Sequence, residues 1–240
     1  MLEDALAAGI ASAGGTAVRL GVVPSPGVDW SVVQHRAHGG IVISASHNPH
    51  PDNGIKVFGA DGYKLADDEE EAIEALLDRA GDPPTGGAVG TTTALTGAAD
   101  AYADWVVEVA GTPLDGMRIV VDCANGAATT VAPRLFEALG ADAQLIACAP
   151  DGVNINVDCG STHLATVAAA TVAHGAELGV AFDGDADRVL LVDHTGATVD
   201  GDHILAVLAG DLMARAALPG SRVVLTSMAN LGAHRALRDL

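Results

Sequence analysis

Along the 240 residues, short apolar runs alternate with longer stretches of helical period. This is the pattern of an α/β architecture with largely parallel strands flanked by helices. The runs "AVRLGVV" (17–23), "GIVIS" (40–44), "RIVVD" (118–122), "LGVAF" (178–182), "VLLVD" (189–193) and "RVVLT" (222–226) predict strands. Between 130 and 139 the residues Val131, Leu135, Phe136 and Leu139 recur at helical spacing, and Gly140 is placed as a C-terminal cap. Asp202 is placed to cap a helix carrying Ile204, Leu205, Leu208 and Leu212 on one side. The stretch "ADAYADWVVEVAGTPLDG" predicts a helix ending near Gly111, with Pro113 enforcing the stop. Residues 82–97 are rich in Gly and Thr, lack periodicity, and predict a loop or linker.

A boundary near residue 113 follows, and three units are expected: 1–113, 114–199 and 200–240, the last only the beginning of an α/β unit. The segments "RIVVDCANGAA" from Arg118 and "RVVLTSMANLGA" from Arg222 echo each other with one insertion, a weak sign of recurring strand, loop and helix units. Residues 2–14 already have a helical pattern, so a doubly wound first unit lacks its opening strand here. An internal piece of a longer protein is expected.

Composition narrows function more than fold. Apolar residues make up 49% and charged residues 18%, which argues against general disorder, while an aromatic content of 3% leaves packing to Ala, Val, Leu and Ile. A formal net charge of -19, from 31 acids against 12 Lys and Arg, argues against a nucleic-acid backbone or an anionic membrane as main partner. A small anionic ligand held by a few placed groups is compatible with it. The plain reading of the acidity is solubility or a salty habitat. Cys123, Cys148 and Cys159 form no C-x-x-C pair and are odd in number, as expected of a reduced, cytoplasmic chain. Glu3 and Asp4 stand where a signal peptide needs basic residues, and the charge-free stretches are too rich in Gly, Ser, Thr and His to span a bilayer. Oligomeric state leaves no mark in the sequence.

Two stretches carry chemistry. "AFDGDADRVLLVD" places Asp183, Asp185 and Asp187 at alternate positions after an apolar run. In extended backbone, residues two apart point to one side, and Gly184 and Ala186 keep the space between them small. Three converging carboxylates repel unless something positive joins them, and hard oxygen donors favour Mg²⁺. A solvated acidic turn is the plainer alternative. An EF-hand needs Gly and Glu at the sixth and twelfth places from Asp183, which hold Arg188 and His194. A phosphatase of the haloacid-dehalogenase type also opens with a strand and D-x-D, but it calls for a downstream lysine. The only two lysines are Lys56 and Lys64.

The second stretch is "VISASHNPHPDNGIKVF" (42–58). Ser46 follows a predicted strand, where ligand sites of open α/β sheets lie. A serine hydroxyl needs a base, a metal or a pre-formed covalent state to act. His47 is adjacent, and neighbouring side chains on an extended strand point apart, so a protease-like Ser–His pair is not expected. A serine carrying phosphate would instead complete a Mg²⁺ site with the three aspartates, with Lys56 supplying charge or proton transfer. Alone, "NPHPDNG" reads as a plain turn.

"ISASHNPHPDNGIK" followed by "FDGDADR" resembles the α-D-phosphohexomutase superfamily. "NINVDCGSTH" (154–163) and "VDCANGAA" (121–128) are most similar to its phosphoglucosamine mutase branch, and the resemblance covers essentially the whole chain. It implies repeated mixed, mostly parallel sheets flanked by helices, as domains 1 and 2 with the start of a third. The implied reaction interconverts glucosamine 6-phosphate and glucosamine 1-phosphate through a bisphosphorylated sugar, for amino-sugar nucleotide and cell-wall precursor synthesis. By the same resemblance Ser46 carries the transferred phosphate, and with Asp183, Asp185 and Asp187 it holds one Mg²⁺. Arg188 and Lys56 would stabilise or relay charge at the phosphoryl group, and His47 and Asn48 would shape the loop. A phosphosugar is the substrate implied and a bisphosphorylated sugar the activator.

Ala186 stands where many members have glycine, and "WSVVQHRAHGG" (30–40) is unlike the usual run there. The superfamily's G-E-x-S-G-H sugar loop and S-G-T-E-P phosphate loop have no counterpart in these residues, so weak or no turnover is expected of this chain alone. Phosphomannomutase or phosphoglucomutase is the alternative within the same chemistry, with "CGSTH" the discriminating stretch. An inactive Mg²⁺-binding module is the alternative from another class.

Overall fold

The computed structural model describes residues 1–77 and 81–240. In the first part α1 (Leu2–Ser12) leads into β1 (Thr16–Arg19) and α2 (Ser25–His35), followed by β2 (Gly39–Ser44), β3 (Gly54–Gly59) and α3 (Asp67–Leu77). β2 and β3 pair antiparallel, with Ser44 opposite Gly54 and Val42 opposite Lys56. β4 (Thr91–Ala94) returns to lie parallel to β1. It falls in the segment expected to be a loop. Its threonines are all exposed and show no apolar alternation, so only the pairing with β1 reveals a strand. α3 opens with Asp67, Asp68, Glu69 and Glu70, acids that suit the positive end of a helix.

α4 (Ala98–Ala110) ends, as its sequence predicts, on a left-handed Gly111. Beyond it come β5 (Arg118–Asp122), α5 (Ala132–Ala138), β6 (Asp142–Ile146), α6 (Leu164–His174), β7 (Leu178–Phe182), β8 (Val189–Asp193) and β9 (Thr198–Val199). These strands form one sheet in the order β6-β5-β7-β8-β9. β5 runs parallel to both β6 and β7, while β8 and β9 continue antiparallel. Among the described residues parallel and antiparallel pairs are equally frequent, against the expected mostly parallel strands. The five-stranded sheet is mixed, whereas β1–β4 is purely parallel and β2–β3 purely antiparallel. The antiparallel pairs arise where strands are joined by short hairpins instead of helical crossovers.

β5 explains why "RIVVD" is apolar throughout. Ile119 and Val121 pack with Ala128, Ala132 and Phe136 on the α5 side, whereas Val120 packs with Val167, Ala176, Ala181 and Val192 on the α6 side. A strand covered on both faces needs no polar alternation.

α4 packs against both α2 and α5. Trp30, Tyr102 and Trp105 meet there with ring centroids 5.8–5.9 Å apart, over buried Tyr102, Ala103 and Val131. Both tryptophans of this aromatic-poor chain thus sit where the first part meets the five-stranded sheet.

Two expectations fail near the C-terminal end. α7 (Gly201–Ala214) is capped by Asp200, whose carboxylate accepts from the His203 N–H at 3.1 Å; Asp202 instead accepts from the Asn230 N–H at 2.8 Å. "RVVLT" forms no strand: residues 222–226 lack regular structure, Val224 is 91% exposed, and the next element is α8 (Leu231–Arg238). A strand needs a neighbour to satisfy its backbone groups, and among the described residues none pairs with this run. No helix among the described residues is long and apolar enough to cross a membrane.

Candidate active site

Two hairpin loops from different sheets meet to build the site. The first joins β2 to β3. Ser46 lies at its start in a left-handed conformation (φ 53), with its N–H donated to Ser44 Oγ at 2.9 Å, and the Asn48 N–H returns to the Ala45 carbonyl at 2.9 Å. The second joins β7 to β8. It presents Asp183, Asp185 and Asp187, whose carboxylate oxygens lie within 4.8 Å of one another. They converge in a turn and not on an extended strand. Ala186 is left-handed (φ 54), its N–H donates to the Asp183 carbonyl at 3.0 Å, and the Asp183 N–H to the Arg188 carbonyl at 3.3 Å.

Glycines let the loops touch through backbone. The Gly184 N–H donates to the Ser46 carbonyl at 3.0 Å, and a Cβ on Gly184 would stand 2.4 Å from that oxygen. Behind it the Gly184 carbonyl accepts from the Ala127 N–H at 2.8 Å, and a Cβ on Gly126 would stand 2.1 Å from the Gly184 oxygen. Side chains could enter neither gap without moving backbone.

The polar groups form one network. Ser46 Oγ lies 3.3 Å from Asp183 Oδ2 and accepts from Arg188 Nη2 at 2.9 Å. Arg188 Nε reaches Asp183 Oδ2 at 3.1 Å and Asp187 Oδ1 at 3.4 Å, and Nη2 also contacts His47 Nδ1. The left-handed turn at Ser46, unlike an extended strand, lets Ser46 and His47 meet the same guanidinium. Lys56 Nζ sits 2.6 Å from both Asp185 Oδ2 and Asp187 Oδ2. Its bonds are thus to the aspartates. Lys64 pairs with Glu70 on α3, outside this network.

Burial and charge pull the aspartates apart. Burial, reinforced by the negative charges of Asp185 and Asp187, pushes the Asp183 carboxyl above its ordinary value despite Arg188. Burial acts the same way on Asp185, but hydrogen bonds from Lys56 and Ser25 and the Lys56 charge outweigh it and hold that group below its ordinary value. Burial opposes the charge of Lys56, yet its two aspartate partners raise it overall.

One atom bears on what the site accommodates. Asp185 Oδ1 is buried and has no hydrogen-bond partner. An unpaired, desolvated carboxylate oxygen beside two further carboxylates fits a hard cation. The donor set suits such an ion: oxygens of Asp183, Asp185 and Asp187 converge, and Ser46 Oγ lies beside Asp183.

Two further residues join the network that motif reading does not single out. Ser25, buried at the start of α2, donates Oγ to Asp185 Oδ2 and its N–H to the Asp185 carbonyl at 2.9 Å. "PSPG" marks a helix start, and nothing in it points to a carboxylate 160 positions away. Asn156 donates Nδ2 to the carbonyls of Ser46 and Asn48 at 2.8 and 2.9 Å. It lies in "NINVDCGSTH", so the signal was present without its purpose.

A mixed α/β fold with a serine loop facing three aspartates and paired cations is the arrangement of sugar-phosphate mutases. The descriptions "Phosphoglucomutase/phosphomannomutase, alpha/beta/alpha domain I" and "domain II" match residues 1–83 and 93–196, and the chain belongs to this family. It is 52% identical over its whole length to the phosphoglucosamine mutase of Pelotomaculum thermopropionicum, of which it covers 54%. It is 50% identical to that of Saccharopolyspora erythraea, again over 100% of this chain and 54% of the relative. Among solved structures, a phosphoglucomutase/phosphomannomutase family protein from Burkholderia thailandensis superposes with a TM-score of 0.74 at 29% identity, covering 90% of this chain and 48% of that one. The chain spans about half the length of the curated relatives it matches.

Proposed function

We propose that these residues form the phosphoserine half of a phosphoglucosamine mutase, acting on glucosamine 6-phosphate and glucosamine 1-phosphate in the cytoplasm for amino-sugar nucleotide and cell-wall precursor synthesis. The observation that carries this reading is the placement of Ser46 Oγ against Arg188 Nη2 and Asp183, beside the buried, unpartnered Asp185 Oδ1. The similarity to phosphoglucosamine mutases supports the choice of sugar. The same reading divides the chain into a phosphoserine-loop unit (1–113), a metal-loop unit (114–199) and the beginning of a third (200–240).

In the transfer, the phosphoryl group leaves Ser46 Oγ for a sugar hydroxyl. The P–O bond to serine breaks, a P–O bond to the sugar forms, and the sugar's hydroxyl proton ends on Ser46 Oγ. The bisphosphorylated sugar then returns its other phosphoryl group to Ser46 by the reverse step. Such chemistry relies on positioning and charge neutralisation. Arg188 faces the oxygen that gains and loses the phosphoryl group, and His47 braces the guanidinium. Lys56 balances Asp185 and Asp187, and Ser25 orients Asp185. One Mg²⁺, held by the three aspartates and Ser46, would supply Lewis-acid neutralisation of phosphoryl charge when bound.

The test is the half-reaction. Incubated with Mg²⁺ and glucosamine 1,6-bisphosphate, the chain is expected to release glucosamine monophosphate. The release stops in Ser46→Ala and on chelation, and returns with added Mg²⁺. Equal release from Ser46→Ala would overturn the proposal.

A further inference from the structure

Asn156 stands in a loop that supplies no ligand and no charge to the site, yet it touches the serine loop twice. Its Nδ2 donates to the carbonyls of Ser46 and Asn48, at 2.8 and 2.9 Å. Of the two ends of the amide only the nitrogen donates, and its two protons serve the two carbonyls, so this pair of acceptors dictates the orientation of the Asn156 side chain. Oδ1, turned away, is buried without a partner. The loop that carries Asn156 is itself anchored. The Asn156 N–H donates to the Ala124 carbonyl at 2.9 Å, and the Gly160 N–H to buried Asp122 Oδ2 at 2.8 Å.

We propose that Asn156 is a positioning residue that clamps the serine loop, fixing the backbone on both sides of His47 and so the direction of Ser46 Oγ; this deepens the phosphoserine reading and rests on it. Between Ser46 and Gly54 the serine loop is mostly exposed, and residues 47–54 lie at the surface. The Ser46 carbonyl takes two bonds from across the junction, from Gly184 N–H and Asn156 Nδ2, but the Asn48 carbonyl takes its cross-junction bond from Asn156. A left-handed serine is not self-stabilising, so its φ of 53 persists because these contacts hold it. The oxygen that receives phosphate is thereby aimed from the five-stranded sheet, which also carries the aspartates.

Asn156 is left-handed too (φ 60), which suggests the cleanest variant. Asn156→Gly keeps that backbone at no steric cost and removes only the amide. Asn156→Asp keeps the shape but replaces the donor with an acceptor facing two carbonyls. Three readouts are taken on the 240-residue chain: amide hydrogen exchange of residues 45–50, the rate of phosphate uptake from glucosamine 1,6-bisphosphate with Mg²⁺ at saturating concentration, and the thermal midpoint. Both variants are expected to speed exchange in that loop about tenfold and slow uptake on the order of tenfold to a hundredfold, with the midpoint little changed. Should Asn156→Gly not fold, Asn156→Asp carries the same comparison. Unchanged loop exchange, or uptake at the parental rate, in a folded variant would overturn the clamp. If the parent chain itself takes up no phosphate, the phosphoserine reading fails, while the exchange data still decide whether Asn156 holds the loop.

Discussion

Gly184 shows how a single backbone position serves both fold and site. Its N–H holds the Ser46 carbonyl, and a side chain there would strike that oxygen and Ile155, whose Cδ1 would lie 2.6 Å from the new Cβ. Backbone on one side and a packed side chain on the other cannot both give way. Gly184→Ala is expected to cost about 1–3 kcal/mol in urea unfolding, as overpacking of a tight site does. Because the strain falls on the serine loop, phosphate uptake should drop more than stability alone explains. A variant as stable as the parent would show that the loops do not meet as described. At this scale the motifs announced the chemistry but not its supports. Ser46, Asp183, Asp185 and Asp187 stand out by residue type and spacing. Ser25 and Asn156 have ordinary types, and their partners lie 160 and 110 positions away, so only folding reveals them.

Among the elements, strands buried on both faces or alternating with helices were legible, and β5, β7 and β8 coincide with their predicted runs. β3, β4, β6 and β9 were not, because their mixed, exposed residues pair through backbone groups that leave little pattern in the side chains. "RVVLT" shows the converse, an apolar run that β propensity alone does not make into a strand. The turn after β8 has its own logic. Asp193 Oδ1 accepts from Thr195 Oγ1 at 2.6 Å, from the Thr195 N–H at 2.8 Å and from the Ala197 N–H at 3.0 Å. The Thr195 hydroxyl first, then these backbone donors, hold the carboxyl below its ordinary value. A depressed folded pKa contributes stability that is present above the unfolded value, near 3.9, and is lost as pH falls through the folded one. Asp193→Ala is therefore expected to lower the urea midpoint at neutral pH, with the gap to the parent narrowing in acid. A gap that persists undiminished at pH values below both pKa values would show that ionised Asp193 does not brace this turn.

In the whole molecule, the Trp30, Tyr102 and Trp105 cluster packs α2 against α4, while the Gly184 N–H bond to the Ser46 carbonyl joins the two hairpins into one candidate site. Neither hairpin holds the whole set alone: one carries Ser46 and Lys56, the other the three carboxylates and Arg188. With a net charge of -19 over the chain, the placed cations Lys56 and Arg188 are the more distinctive, since any small anionic ligand must find positive charge locally. The central claim is that Ser46 accepts and donates phosphate within this assembly. Its most direct test is intact-mass spectrometry with peptide fragmentation, after the chain is incubated with Mg²⁺ and glucosamine 1,6-bisphosphate. One added phosphoryl group, located on Ser46 and missing from Ser46→Ala, is the predicted result; no added mass, or a phosphoryl group carried by Asp183, would contradict it.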